Sequence, residues 1–328
     1  MSAVRVLYLA GSGRSGSTLV TTVLGQLPGF FAAGELRYLW RRGIVEHRPC
    51  GCGLPLTECP FWAGVLRDLP DADPAGIAAR LGDRLRLRGL PALLRRHRRG
   101  RPPVPAHPDD NHLTRLYASI AEHAGPGGVI VDSSKLPPYG ALLGSLPDVE
   151  LYVLHVVRDP RATAFSWRRR RVLDGGDDRL MARPPVWKAA LLWLVWNNAT
   201  VRLWGSSGRY LRVRYEDFVA APADTTARIV RFVGGTPGEL PFPTPDTVRL
   251  AATHSVAGNP SRHRTGVVGV VADSEWLAGL STGAYATVTG LTGPTLRRFG
   301  YPLRRPAVSA GPPGPTVVSP SPAARQEG

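Results

Sequence analysis

Lysine is almost missing from this chain. Of 41 basic residues in 328, only Lys135 and Lys188 are lysine; the others are arginine. Cysteine is nearly as scarce: Cys50, Cys52 and Cys59 stand within ten residues, with His47 close by. That number excludes a disulfide-framed secreted scaffold. Three Cys and one His suffice for zinc, but a C-x-C pair with a third Cys seven residues later is not a usual zinc spacing, so a metal, a local disulfide and reduced thiols all stay open. Long apolar runs are absent too. The longest, residues 189–196, is far below the roughly 20 residues that span a bilayer. The apolar stretch before residue 11 is too short for a signal core, so the expectation is a soluble, cytoplasmic protein. There is no internal repeat. Acid is in short supply, 25 residues against 41 basic, for a net charge of +16. Such a surface suits anionic cofactors or acceptors, and keeps non-specific nucleic-acid binding as an alternative.

What is present begins at residue 4. Residues 4–10, VRVLYLA, predict a strand, and GSGRSGST follows over 11–18. Leu19, Val20, Val23, Leu24 and Leu27 then recur at helical spacing until Pro28-Gly29. Strand, Gly-rich loop and helix together aim backbone N–H groups and a helix N-terminus at an anion. Gly13 and Gly16 let the backbone approach; Ser15, Ser17 and Thr18 add hydroxyls; Arg14 adds a fixed cationic fork. Gly11, Gly16 and Ser17-Thr18 resemble a Walker A loop in which the lysine is a serine. That lysine reaches the terminal phosphates in nucleotide triphosphatases, so its loss argues against ATP or GTP hydrolysis.

Further strands are expected at 30–33, 129–131, 151–157 and 210–215, with helices at 113–123, from 160 into the arginines 168–171, at 186–204 (expected as core), 225–233 and 281–299. Strands alternating with helices predict an α/β fold: a P-loop-like, three-layer arrangement with a mainly parallel sheet flanked by helices. Residues 1–305 are read as one domain. Within it, 41–112 form a looped and helical cap insertion that would bind acceptor, with nine arginines over 80–101; residues 306–328 are read as a disordered, Pro-rich tail. Polar residues at strand ends mark the binding edge of such a sheet. Glu35 and Arg37 follow the second strand. Lys135 ends Asp132-Ser133-Ser134-Lys135, a point charge kept in a chain that otherwise uses arginine. Arg158 and Ser166 bracket the start of a helix capped by Asp159-Pro160 and suit a second phosphate. His155, inside its strand, is expected to be a core histidine. The stretch 254–266, HSVAGNPSRHRTG, has the composition of a loop that folds over an anion.

In this order the motifs resemble sulfotransferases that use 3′-phosphoadenosine-5′-phosphosulfate (PAPS), most of all a bacterial branch similar to tyrosylprotein sulfotransferases. The resemblance covers about residues 1–302 and rests on GRSGSTL at 13–19, RDPRATAFS at 158–166, VRYEDF at 213–218 and the GNPSRHRTG loop with Ser274-Glu275-Trp276 after it. It implies that the first motif holds the 5′-phosphosulfate, that Arg158 and Ser166 hold the 3′-phosphate, and that Tyr215 lies near the nucleotide. The tyrosyl branch places its catalytic Glu 21 residues after the loop Arg, and a second Arg two further on, as Arg14, Glu35 and Arg37 are spaced here. Its active-site Lys corresponds best to Lys135. The family's Ser-Lys-Trp reads Ser-Glu-Trp at 274–276, so Arg262 or Arg264 is expected to replace the missing charge.

The implied reaction is in-line sulfuryl transfer to a hydroxyl, with Glu35 as general base and Arg14, Lys135 and Ser261 stabilising charge. Arg37 would contact the acceptor. No metal is required, because a sulfuryl group carries less charge than a phosphoryl. The acceptor would be a glycan, a lipid head group, a natural product or a peptide, and no nucleic-acid partner is expected. Two other readings are a P-loop-like small-molecule kinase using ATP–Mg²⁺ and a non-catalytic basic module for nucleic acid. The second lacks a helix-turn-helix, a zinc finger or a stacking pattern.

Overall fold

The computed structural model describes residues 3–125, 127–169 and 183–306. The expected tail beyond Pro306, the arginines at 170–171 and most of the loop after them lie outside these residues.

Five strands form one sheet, all parallel: β1 (Val4–Ala10), β2 (Phe30–Gly34), β3 (Val129–Lys135), β4 (Val149–Val157) and β5 (Tyr210–Arg214), in the order β2-β3-β1-β4-β5. The strands are runs of apolar residues because both faces are covered. Alternate side chains feed two cores. Val6, Tyr8, Ala10, Ile130 and Val153 point to one. Leu7, Leu9, Val131, Leu154 and Val156 point to the other, with α1 (Ser17–Leu24) and the helix Pro222–Phe232.

The core on the first face also takes in the segment expected as a looped and helical cap. That segment is mostly helical: a π-type turn over Leu39–Val45, then α2 (Pro60–Arg67), α3 (Pro74–Arg84) and α4 (Leu90–Arg98). Trp40, Leu56, Trp62, Ile77, Leu81, Leu90 and Leu93 are buried in the same core as the sheet. Part of the arginine surplus has fixed partners. Arg80 and Arg84 make two-pronged ion pairs with Asp109 and Asp110, at the start of α5 (Asp110–Ala124). His47 is not grouped with the cysteines; the histidine beside them is His254, 195 residues after Cys59.

After β3 come α6 (Pro137–Leu143), then α7 (Pro160–Arg168) and α8 (Val186–Trp204) beyond β4. Helix α8 was expected to be core. Trp193 and Asn197 are buried, but Trp187, Leu191 and Val195, at four-residue spacing, are exposed. Beyond β5 the chain forms α9 (Tyr215–Ala220) and α10 (Pro222–Phe232), then a hairpin of β6 (Thr247–Leu250) and β7 (Gly266–Gly269). The short α11 (Glu275–Gly279) and α12 (Thr282–Arg298) complete it. Helix α9 and the hairpin were not expected. Tyr215 starts a helix instead of ending a strand, and β6 and β7 are too short to show a period. No helix among the described residues is long and apolar enough to cross a membrane.

Candidate active site

All five strands of the sheet deliver a polar group at their C-terminal ends, where open α/β sheets bind ligands. The loop 11–16 follows β1, Glu35 follows β2, Lys135 ends β3, Arg158 follows β4 and Tyr215 follows β5. These residues line one cleft of about 340 Å³, within the usual range for small-molecule sites. Of the expected site residues, Gly13, Arg14, Gly16, Ser17, Thr18, Glu35, Arg37, Lys135, Arg158, Ser166, Tyr215, Ser261 and Arg264 line it. Ser15 and Arg262 do not. Ser15, within the loop, is buried. Arg262 is buried as well, and its guanidinium donates to the carbonyls of Ser255 and Pro49. Of the two arginines offered as a replacement for the missing lysine, Arg264 is therefore the one at the cleft. Glu275 is drawn aside to Arg169, 2.6 Å away.

The loop's glycines are required sterically. Gly16 has φ +87, and a Cβ there would meet the Tyr215 ring at 2.3 Å; one on Gly13 would meet Trp167 at 2.6 Å. Arg14 and Lys135 also have positive φ, 67° and 65°. Left-handed backbone at two non-glycine residues is uncommon, and such conformations concentrate at functional sites.

Glu35 is placed by its neighbours. The segment 254–256 pairs with the end of β2: Val256 N–H donates to the Ala33 carbonyl (2.8 Å), and Glu35 N–H donates to the Val256 carbonyl (2.7 Å). Gly34 permits this approach, since a Cβ would lie 2.4 Å from Val256 O. Lys135 Nζ donates to Glu35 Oε1 at 2.6 Å and to the Ser133 carbonyl at 2.8 Å. Burial opposes ionisation of Glu35, but Lys135, Arg37 and Arg42 outweigh it and hold the carboxyl below its usual value. Beneath lies a second carboxylate, Asp132. Burial raises its pKa to about 6, against hydrogen bonds from Ser134 and Tyr117 that favour the ionised form.

At the other end of the cleft, Arg158 stacks on Tyr215 (4.5 Å) and pairs with Asp273 (2.9 Å). Asp273 also binds Arg169 at 2.9 Å, and these arginines keep its carboxyl below the usual range. Trp193 Nε1 donates to the Arg158 carbonyl, which fixes the end of β4. His155 is buried between Tyr210 and Asn197. Burial lowers its pKa to about 4, so it stays neutral near pH 7, and with both ring nitrogens held by those partners it takes no part in the cleft.

Tyr38, Arg42, Trp167, Trp196 and Asp273 line the cleft without having been singled out in the sequence. Arg37 and Arg42 both lie over the Tyr38 ring, at 4.0 and 3.7 Å. Arg42 is brought there by the π-type turn, for which the sequence has no marker. Trp167 stands next to Ser166 within RDPRATAFSW and was findable from that position.

Residues 105–236 match the model of the Sulfotransferase family. No curated protein matches the chain significantly. Among the solved structures that match, two share the fold over nearly the whole chain. The sulfotransferase domain of the Synechococcus PCC 7002 olefin synthase is 21% identical, with a TM-score of 0.52 over 93% of this chain and 98% of that one. The sulfotransferase domain from the curacin biosynthetic pathway is 15% identical, with a TM-score of 0.53 over 93% of this chain and all of the other. The family model covers 132 of the 328 residues, and the two structures show the fold that this chain shares.

Proposed function

We propose that this chain is a sulfotransferase that moves a sulfuryl group from PAPS to a hydroxyl of its acceptor, with Glu35 as general base. The observation that carries this reading is the meeting, in one cleft, of an anion loop, a second guanidinium site and an ionised, buried carboxylate. The residues suit a phosphosulfate nucleotide. Ser12 in the loop buries a hydroxyl oxygen that has no hydrogen-bond partner, and a Cβ on Gly13 or Gly16 would run into the Trp167 or Tyr215 ring that lines the cleft. The loop itself holds no acid.

Residues 13–18 would hold the phosphosulfate, with Ser261 and Arg264 facing them across the cleft. Arg158 and Ser166 would take the 3′-phosphate, and Tyr215 would pack near the nucleotide. When bound, the nucleotide supplies an activated sulfuryl group and a phosphate leaving group. The chain's own residues supply the rest. Glu35 is ionised at neutral pH and accepts the acceptor hydroxyl's proton at a carboxylate oxygen. Lys135, already on Glu35, keeps that carboxylate charged and presents its ammonium to charge that develops in the cleft. Arg14 adds a fixed cation from the loop. Arg37 and Arg42, on the same wall as Glu35, give the acceptor side a positive lining.

The test is a calorimetric titration with adenosine 3′,5′-bisphosphate in EDTA, beside ATP with Mg²⁺. Metal-independent binding of the bisphosphate that is lost in Arg158→Ala supports the reading. Binding of ATP–Mg²⁺ alone overturns it.

A further inference from the structure

Away from the cleft, four side chains meet that the proposed reaction does not use. Cys50, Cys52, Cys59 and His254 bring three sulfurs and a ring nitrogen within 4.8 Å of one another. Cys59 Sγ lies 3.2 Å from His254 Nδ1, and Cys50 Sγ lies 4.0 Å from the same atom. A tetrahedral Zn²⁺ bonded at about 2.3 Å to sulfur and about 2.0 Å to nitrogen sets ligand-to-ligand edges of about 3.4–3.8 Å. The widest separation has to close by only about an ångström to reach that tetrahedron. All three thiols are free of disulfides.

We propose that Cys50, Cys52, Cys59 and His254 bind one Zn²⁺ in a closed, structural site. The donor set selects the metal: thiolates and imidazole favour Zn²⁺ over Mg²⁺ or Ca²⁺, and four protein ligands leave no position open for catalysis. Ligation exchanges thiol protons for the metal, up to three protons released, with no change of oxidation state.

The surroundings hold each ligand in place. Residues 50–53 turn tightly, with Gly53 N–H donating to the Cys50 carbonyl at 2.9 Å and Cys50 N–H to the Leu54 carbonyl at 2.8 Å. Gly51 has no room for a side chain, since a Cβ would meet Ser255 Oγ and the Thr253 carbonyl at 2.5 Å each. Cys59 immediately precedes α2, whose first residue is Pro60, so the helix start fixes its backbone. The His254 ring stacks on Phe61 (5.5 Å between centroids, 12° between planes), and Trp62 Nε1 donates to the His254 carbonyl at 2.7 Å. These contacts orient the ring as outer-shell partners do around metals.

The site also has a consequence for the cleft. His254 is two residues from Val256, whose backbone pairs with Ala33 and Glu35. Ser261 and Arg264 follow on the same strap. Zinc would pin this strap to residues 50–59, and so positions Glu35 and the far wall of the cleft from behind. The proposal itself does not depend on the reaction assigned above.

The test uses the full chain, purified without chelator and analysed for metals by mass spectrometry. One zinc per chain is expected. Chain stripped by chelator under reducing conditions and titrated with Co²⁺ should develop thiolate-to-cobalt charge-transfer and tetrahedral d–d bands. Cys52 is only half-buried, so Cys52→Ser should fold, and it should show a weaker charge-transfer band and hold metal at least about tenfold less tightly. His254→Ala should shift the d–d bands. Three titratable thiols with no zinc and no cobalt bands overturn the site. So does a mass lower by two hydrogens, which means an intrachain disulfide. Unaltered cobalt spectra in both variants overturn the ligand set.

Discussion

Two buried ion pairs face each other across the cleft, and they are built differently. Glu35–Lys135 joins the ends of neighbouring strands β2 and β3; its side chains are 14% and 10% exposed. Arg158–Asp273 joins the end of β4 to a segment without regular structure that precedes α11, with exposures of 7% and 18%. In the first pair the acid is surrounded by cations, for Arg37 and Arg42 add to Lys135. In the second the acid is shared between Arg158 and Arg169. Under the proposed function, the difference would separate two tasks. A sheet-borne pair with excess positive charge keeps a carboxylate ionised at a fixed place, as a base requires. A pair closed by a loop can exchange its acid for an incoming anion, as a phosphate site requires.

The sharpest way to break this comparison is Glu35→Gln. Removing a general base costs about 100- to 10,000-fold in turnover, with bisphosphate binding kept. The substitution also leaves the Lys135 ammonium without its carboxylate, so loss of rate alone does not single out a base. The pH profile does. In the parent chain the acid limb of turnover should fall below pH 4.5, because the cations hold Glu35 under that value and the base is lost only as pH drops through the lowered pKa. In Glu35→Gln that limb should vanish. Near-normal turnover would remove Glu35 from the chemistry.

Arg158→Ala comes next. Hydrogen bonds to charged groups contribute about 1.5–3 kcal/mol, so bisphosphate affinity should fall roughly 10- to 150-fold. Fold stability should change less, because the truncated guanidinium leaves Asp273 with Arg169. An unchanged affinity would mean that the two ends of the cleft do not divide the work as described.

The sheet-borne end holds a second contrast, between Glu35 and Asp132. Cations push Glu35 down, whereas burial lifts Asp132 to about 6. A carboxyl whose folded pKa is raised adds stability that is complete below its unfolded value, near 3.8, and is lost as pH climbs through about 6. Folding stability should therefore fall by on the order of 2–3 kcal/mol between pH 4 and pH 6.5 from this residue. Asp132→Asn should flatten that slope in urea unfolding measured across the same range. An equally steep slope in the variant would place the titrating group elsewhere.

The two halves of the cleft also differ in how well the sequence revealed them. Gly13, Arg14, Gly16, Lys135 and Arg158 were legible because each stands within a few residues of an apolar strand, and a parallel sheet brings such ends together. The cap segment was less so. Residues 39–98 fold as short helical pieces whose burial is decided by contact with one another, α5 and α8, not by a sustained period, and α2 is only eight residues long. His254 was missed as the cysteines' neighbour for a related reason: no local spacing links it to residue 59, and only the strap that pairs with β2 carries it there. Asp273 was hidden in the same way. It lies three residues before Trp276, in a motif read for its missing lysine and not for the acid upstream.

Asp273 supplies the smallest and most diagnostic effect. If its carboxylate holds the place that the 3′-phosphate takes on Arg158, nucleotide binding first has to part an ion pair 2.9 Å long. A partly buried pair of this kind is worth about 1 kcal/mol, since its exposed edge is screened by solvent. Asp273→Asn removes that competitor and keeps the side chain's size. Bisphosphate affinity should then rise about threefold to fivefold, with the larger gain at low ionic strength, where the competing ion pair is strongest. Double substitution with Arg158→Ala should erase the gain, because Asp273 would act only through that guanidinium. A fall in affinity in Asp273→Asn would assign Asp273 the opposite part, that of a brace which aims Arg158 over the Tyr215 ring. The second ion pair would then be as fixed as the first.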